Sequence, residues 1–187
     1  MGYHRAGFEV VGVDIVPQKH YPFEFHQADA LEYLADYGSE FDVIHASPPC
    51  QLYTAMQHIV KSKDKWPDLI DPVRQLLLSI GKPFVIENVV GAPLRVDIML
   101  CGTMFGLPII RHRLFESNIS IPVLLPYCNH DKVYDPWHKD GVDQRNKLTK
   151  AMGVDWFMNR HEIREAIPPA YTEFIGRQLK QYLEVQP

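Results

Sequence analysis

The order of apolar and polar positions switches between two periods along the chain. Phe8 to Ile15 (FEVVGVDI) is apolar, β-branched and closed by an acid, which predicts a buried strand with Asp14 at its carboxyl end. Asp29 precedes ALEYLADYG, an amphipathic run that predicts a helix capped by Asp29 and stopped at Gly38. Phe41 to Ala46 (FDVIHA) predicts a second strand, broken by Ser47-Pro48-Pro49. After a polar loop, Asp71 to Ile80 predicts a helix with Pro72 in its first turn and Gly81 at its end. Phe84 to Ile86 opens a third strand that runs into Glu87-Asn88.

Beyond residue 90 the periodicity loosens. Leu100 to Leu107 (LCGTMFGL) predicts a glycine-punctuated turn or short helix, and Arg111 to Ser117 a strand. Pro122 to Val142, with prolines and aromatics but no period, predicts a long irregular insertion. Arg145 to Met152 and Arg160 to Ile167 predict helices, and Pro168-Pro169 opens a last amphipathic helix. Strands alternating with helices predict an α/β fold with a mainly parallel sheet and helices on both faces. Ligands of such sheets bind beyond the carboxyl ends of the strands. Three chemically capable segments fall there: Asp14, Ser47 to Gln51, and Glu87-Asn88.

Composition adds bounds. With 187 residues, 46% hydrophobic and 22% charged, one globular domain over residues 1–187 is expected. No apolar run reaches the ~18 residues of a membrane helix, and MGYHRAGFEV has no signal-peptide core, so no membrane partner and a cytoplasmic location are expected. The net charge of -4 argues against a protein held to its partner mainly by phosphate neutralisation. It leaves room for a local basic cleft from Arg111, Arg113, Lys139, Arg145, Lys147 and Lys150. Cys50, Cys101 and Cys128 include no CxxC pair, so free thiols are expected. Cys128, His130 and His138 give only a Cys-x-His pair and a distant histidine, and no metal site is assigned.

Cys50 follows two prolines at a strand end, a place that can present a thiol to a cleft; a lone cysteine is otherwise more often structural. The series SPPCQ, ENV and RHR, with the closing AMGVDWFMNRHEIREAIPPAYTEFIGRQL, resembles the cytosine-C5 DNA methyltransferase family in residue type and order. The likeness is nearest to compact phage and bacterial forms, some linked to restriction-modification, and covers nearly the whole chain. It implies a Rossmann-like fold, S-adenosylmethionine as cofactor, and double-stranded DNA whose target cytosine is flipped out of the helix. Cytosine C5 is a poor nucleophile, so a thiolate must first add to C6; the resemblance gives Cys50 that role. It implies that Glu87 relieves charge at the N3 and amine edge, that Asn88 holds the local backbone, and that Arg113 helps bind the base near its carbonyl oxygen and the nucleophile, with Arg111 beside it as a further catalytic and DNA-binding candidate. Gln51 and the loop to Trp66 resemble the family's catalytic loop on DNA. For the cofactor the resemblance implies Asp14 at the ribose, Ile15 on the adenine ring, Asp29 at the adenine amine, and Pro49, Tyr171 and Glu173 along the pocket.

Two departures qualify these implications. The family opens with a strand and a glycine-rich loop, whereas MGYHRAGF resembles the end of the helix after that loop. The first strand is therefore expected to be missing from this chain, with the true start upstream and weak or no activity in the chain as given. The region between RHR and the last helices is short, so residues 118–145, including Arg145, are expected to read a short DNA site. An RNA cytosine-C5 methyltransferase and a catalytically inactive nucleic-acid-binding protein of the same fold are the alternatives.

Overall fold

The computed structural model describes residues 1–53, 66–95, 98–131, 133, 144–156 and 158–185. It is a mixed α/β structure with two separate sheets. The strand expected over Phe8 to Ile15 is β1 (Val11–Asp14), half-buried rather than buried, paired in parallel with β2 (Glu24–Gln27) so that Asp14 lies opposite Gln27. With one apolar residue among the four of EFHQ, β2 carries no hydrophobic pattern of its own. Asp29 caps α2 (Ala30–Tyr37) as expected, accepting from the amides of Leu31 and Glu32.

The second sheet has the order β3-β4-β6-β5, from β3 (Ile44–Ala46), β4 (Phe84–Asn88), β5 (Ile98–Leu100) and β6 (Arg113–Ser117). β3 and β4 are parallel, joined through α3 (Ile70–Ile80), which ends at Gly81 in the left-handed conformation at φ 74°. β6 runs antiparallel to both β4 and β5. The expected mainly parallel sheet is thus corrected: among the described strands, parallel and antiparallel pairings are equal in number. The reason lies in the β5–β6 connection. Gly102–Phe105 forms only a short 3-10 helix closed by left-handed Gly106, so the chain doubles back instead of making a crossover.

The four-stranded sheet has helices on both faces, as alternation along β4 dictates. Phe84 and Ile86 pack with Ile70, Val73 and Leu77 of α3 on one face. Val85, with Phe115, Ile98 and Leu100, packs on the other face against Tyr171, Ile175 and Leu179 of α6 (Pro169–Glu184). The short amino-terminal helix α1 (Gly2–Arg5) lies on α6, and an added Cβ at Gly176 would come within 2.8 Å of Ala6, so only glycine permits this approach. A third cluster joins α4 (Gln144–Ala151) and α5 (Arg160–Glu165) through Leu148, Met152 and Ile163. No helix among the described residues is long and apolar enough to cross a membrane.

One ionic group is sealed between α3 and the sheet. The Arg74 guanidinium meets Glu116 of β6 through two bonds of 2.7 and 2.8 Å and donates to the Pro93 carbonyl at 2.9 Å. Glu116 also accepts from the Arg95 amide at 2.9 Å, so both charges are enclosed and bonded.

Candidate active site

The parallel register brings the first two motifs together. Ala46 pairs with Ile86, so the next residues, Ser47 and Glu87, emerge side by side at the carboxyl ends of β3 and β4. The Ser47 hydroxyl donates to Glu87 Oε2 at 2.9 Å. The buried Asn88 side chain donates to the Pro48 carbonyl at 2.9 Å, fastening the SPPC turn to β4. The third motif arrives on β6. Phe115 lies opposite Glu87, and Arg113, two residues away, is its diagonal neighbour; Arg113 Nε stands 3.0 Å from Glu87 Oε1.

Cys50 sits in the turn after Pro49, half-buried, its carbonyl accepting from the Tyr53 amide at 2.9 Å. Burial pushes its thiol up, Arg113 pulls it down, and Glu87 adds to the upward push. Burial also raises Glu87 above the ordinary carboxylate range, against the opposing pull of Arg113, Ser47 and Arg111. At rest the site therefore favours a protonated thiol and a carboxyl that retains its proton more readily than usual. Arg111 is buried; burial and the neighbouring Arg113 lower it to about 10, so it remains a cation at neutral pH. One arm donates to the Arg164 carbonyl, while its Nε has no partner among the described residues.

Behind Glu87 runs a relay that the sequence reading left unassigned. Tyr3 bonds His45 Nδ1 at 2.7 Å, His45 Nε2 bonds Ser47 Oγ at 3.1 Å, and Ser47 donates to Glu87. With Tyr3 donating, the neutral Nε2–H tautomer lets each group donate to the next. His45 and Ser47 are two apart on a strand, hence on one face, and that spacing was the available signal. Burial lowers His45 to about 4. Its folded value lies below its unfolded one, so the unfolded chain takes up the proton first and acid weakens the fold. Stability is expected to fall by about 2 kcal/mol as pH drops from about 6.5 to about 4, after discounting for partial exposure. Urea unfolding across that range should show the loss in the native chain and a flatter profile in His45→Gln. Equal slopes would remove His45 from the account.

The residues expected at the cofactor are divided. Asp14, Ile15 and Asp29 gather at the carboxyl ends of β1 and β2, where Ala28 donates its amide to the Asp14 carbonyl at 3.1 Å. Asp14 Oδ1 accepts from the Val16 amide at 2.8 Å and Oδ2 from Gln18 at 3.2 Å. Ile15 is 66% exposed, an apolar surface beside two carboxylates. Tyr171 is elsewhere: fully buried, ringed by Phe105 and Phe115, with its hydroxyl donating to the Arg111 carbonyl at 2.6 Å. Its side chain is thus committed to the core and to holding the arginine segment. Glu173 pairs with Arg177 at 2.6 Å on the surface of α6, within 4.0 Å of Arg5.

On the expected DNA side, Gln51 is half-buried beside Cys50, while residues 54–65 of the expected catalytic loop lie outside the described residues. Arg145 in α4 bonds Asn146 at 2.8 Å and is not joined to the Cys50 group by any described contact. In the region 118–145, Asn118 is structural, accepting from the Phe84 amide at 2.8 Å and donating to the Lys82 carbonyl at 2.9 Å. Ile119, Ile121 and Leu125 pack on the core, whereas Leu124 and Tyr127 are 91% and 100% exposed. His138 lies outside the described residues, but Cys128 and His130 meet Cys101 and His112 in a compact group.

Compared with protein-family models, curated proteins and solved structures, the chain matches none.

Proposed function

We propose that this protein is a cytosine-C5 methyltransferase of Rossmann-like fold that acts on DNA. The observation that carries this reading is the meeting of Cys50, Glu87 and Arg113 from three separate motifs, with Glu87 held between Ser47 and Arg113 at the strand ends. A thiol, a proton-retaining carboxyl and a cation grouped at the strand ends suit addition to an electron-poor ring. The Cys50 thiol gives up its proton to solvent and the thiolate Sγ forms a bond to C6, while the C5=C6 π pair shifts to build nucleophilic density at C5 and Glu87 gives its proton to N3. Arg113 orients Glu87 and faces the base carbonyl. S-adenosylmethionine, when bound, supplies the electrophilic methyl group. A solvent water then takes the C5 proton, C5=C6 re-forms as the C6–S bond breaks, Cys50 leaves as thiolate and N3 returns its proton to Glu87.

Asp14, Ile15 and Asp29 suit the adenosine half of that cofactor: two carboxylates for hydroxyl and amine donors and an exposed apolar side chain for the ring. The convergence on Cys50 favours an enzyme over an inactive binder, which has no use for a thiol, an acid and a base-facing cation together.

The test is covalent trapping. With S-adenosylmethionine and duplex DNA carrying 5-fluorocytosine, whose C5 substituent cannot leave as a proton, a denaturant-stable protein–DNA adduct is expected. Adduct on RNA alone would move the substrate to RNA. Binding of DNA with no adduct and no methyl transfer to unmodified DNA would favour the inactive binder.

A further inference from the structure

Cys101, His112, Cys128 and His130 bring their ligand atoms within 4.8 Å of one another. Two sulfur–nitrogen pairs span the group: Cys101 Sγ to His130 Nε2 and Cys128 Sγ to His112 Nε2, both 3.8 Å. The imidazole rings of His112 and His130 stand edge to face with centroids 5.0 Å apart. In a tetrahedral zinc site with Zn–S near 2.3 Å and Zn–N near 2.0–2.1 Å, donor atoms lie about 3.4–3.8 Å apart, so a small contraction converts this group into a coordination shell.

The fold explains how residues so far apart in the chain meet. β5 and β6 pair antiparallel with Leu100 opposite Arg113, so one further step along the ladder sets Cys101 opposite His112. That half of the group rides on the sheet. The other half, Cys128-Asn129-His130, comes from the irregular segment that follows Ile121 and folds back over the strand end. Thr103 donates to Cys101 Sγ at 3.4 Å, the outer-shell bond that a thiolate ligand attracts. Thiolate and imidazole donors in a two-plus-two set, with no carboxylate, select zinc over calcium or magnesium.

We propose that these four side chains form a structural zinc site that clips the segment carrying Cys128 and His130 to the strand bearing Arg113. Four protein donors leave no open position for a reacting water, so the metal serves the fold and takes no part in the chemistry. The clip has a direct bearing on the candidate active site: His112 is the residue before Arg113, and its carbonyl accepts from Arg113 Nη1 at 2.8 Å. A fixed His112 holds the backbone from which Arg113 reaches Glu87. Metal binding itself does not depend on the methyltransferase reading.

The chain, expressed without a histidine tag and purified under reducing conditions, is expected to carry one zinc per molecule by elemental analysis. Cobalt(II) added to the metal-stripped chain should give the intense visible bands and thiolate charge-transfer absorption of a tetrahedral site. Cys128→Ser and His130→Asn, at half-exposed and exposed positions, should keep the native circular dichroism yet weaken zinc by at least about a hundredfold. Cys50→Ser should bind as the native chain does. Absence of zinc together with no tetrahedral cobalt spectrum would overturn the proposal, as would undiminished binding in Cys128→Ser/His130→Asn. A Cys101–Cys128 disulfide found by mass spectrometry in the chain as purified would overturn it too.

Discussion

On the proposed methyltransferase reading, Cys50→Ala is expected to abolish both the 5-fluorocytosine adduct and methyl transfer, with turnover down by at least about 10⁴-fold. The size follows from the chemistry. Without addition at C6, C5 lacks the electron density to take a methyl group, and a thiolate is the side chain best suited to that addition. Because Cys50 is half-buried in a turn after Pro49 and belongs to no disulfide among the described residues, the variant should unfold at the same urea concentration as the native chain. Glu87→Gln separates the roles. It keeps the shape but cannot give up a proton, so adduct formation should slow by about 10²–10⁴-fold without vanishing. Full turnover in Cys50→Ala would end the covalent reading, whatever the cofactor.

The largest effect on stability is expected at Glu116, not in the candidate active site. Glu116→Gln should destabilise the fold by about 3–5 kcal/mol in urea unfolding, because it leaves the Arg74 guanidinium enclosed without its counter-charge. Arg74 retains Asp71 and the Pro93 carbonyl, but Asp71 is largely in solvent and screens weakly. Replacing both partners, as in Arg74→Met/Glu116→Leu, should cost less than the single change, since no buried charge is left over. The same pair predicts acid sensitivity. Burial works against ionised Glu116, but bonds from Arg74 and the Arg95 amide prevail and hold its carboxyl below the ordinary range. A depressed folded value gives stability that is full above the unfolded value of about 4.3 and is lost as pH falls through the folded one. Loss below 1 kcal/mol in Glu116→Gln would mean that water reaches Arg74 and that the pair is not sealed.

Much of this site could be seen before any fold was known, and for a local reason. A proline pair after an apolar run ends β3, so Cys50 had to stand at a strand end, and Glu87 and Arg113 were each tied to a strand by their own apolar neighbours. What the chain order could not say was that β6 would run antiparallel beside β4, and the Arg113–Glu87 contact depends on that pairing. Tyr171 shows the opposite failure. The resemblance implied a place along the cofactor pocket, whereas the ring is buried against Phe105 and Phe115, a contact between segments far apart in the chain.

By itself the sequence determined the helix ends at Asp29, Gly81 and Pro169 and the strands with apolar runs, because caps, turns and periodicity act within a few residues. It also placed the chemically capable residues at strand ends. The tertiary structure alone decided the division into two sheets, the antiparallel turn-back of β5 and β6, the Tyr3–His45–Ser47 relay and the assembly of Cys101, His112, Cys128 and His130. Each of these depends on strand partners or on segments far apart in the chain. Such contacts form only when packing repays the entropy of closing the intervening loops, and no local pattern encodes that balance.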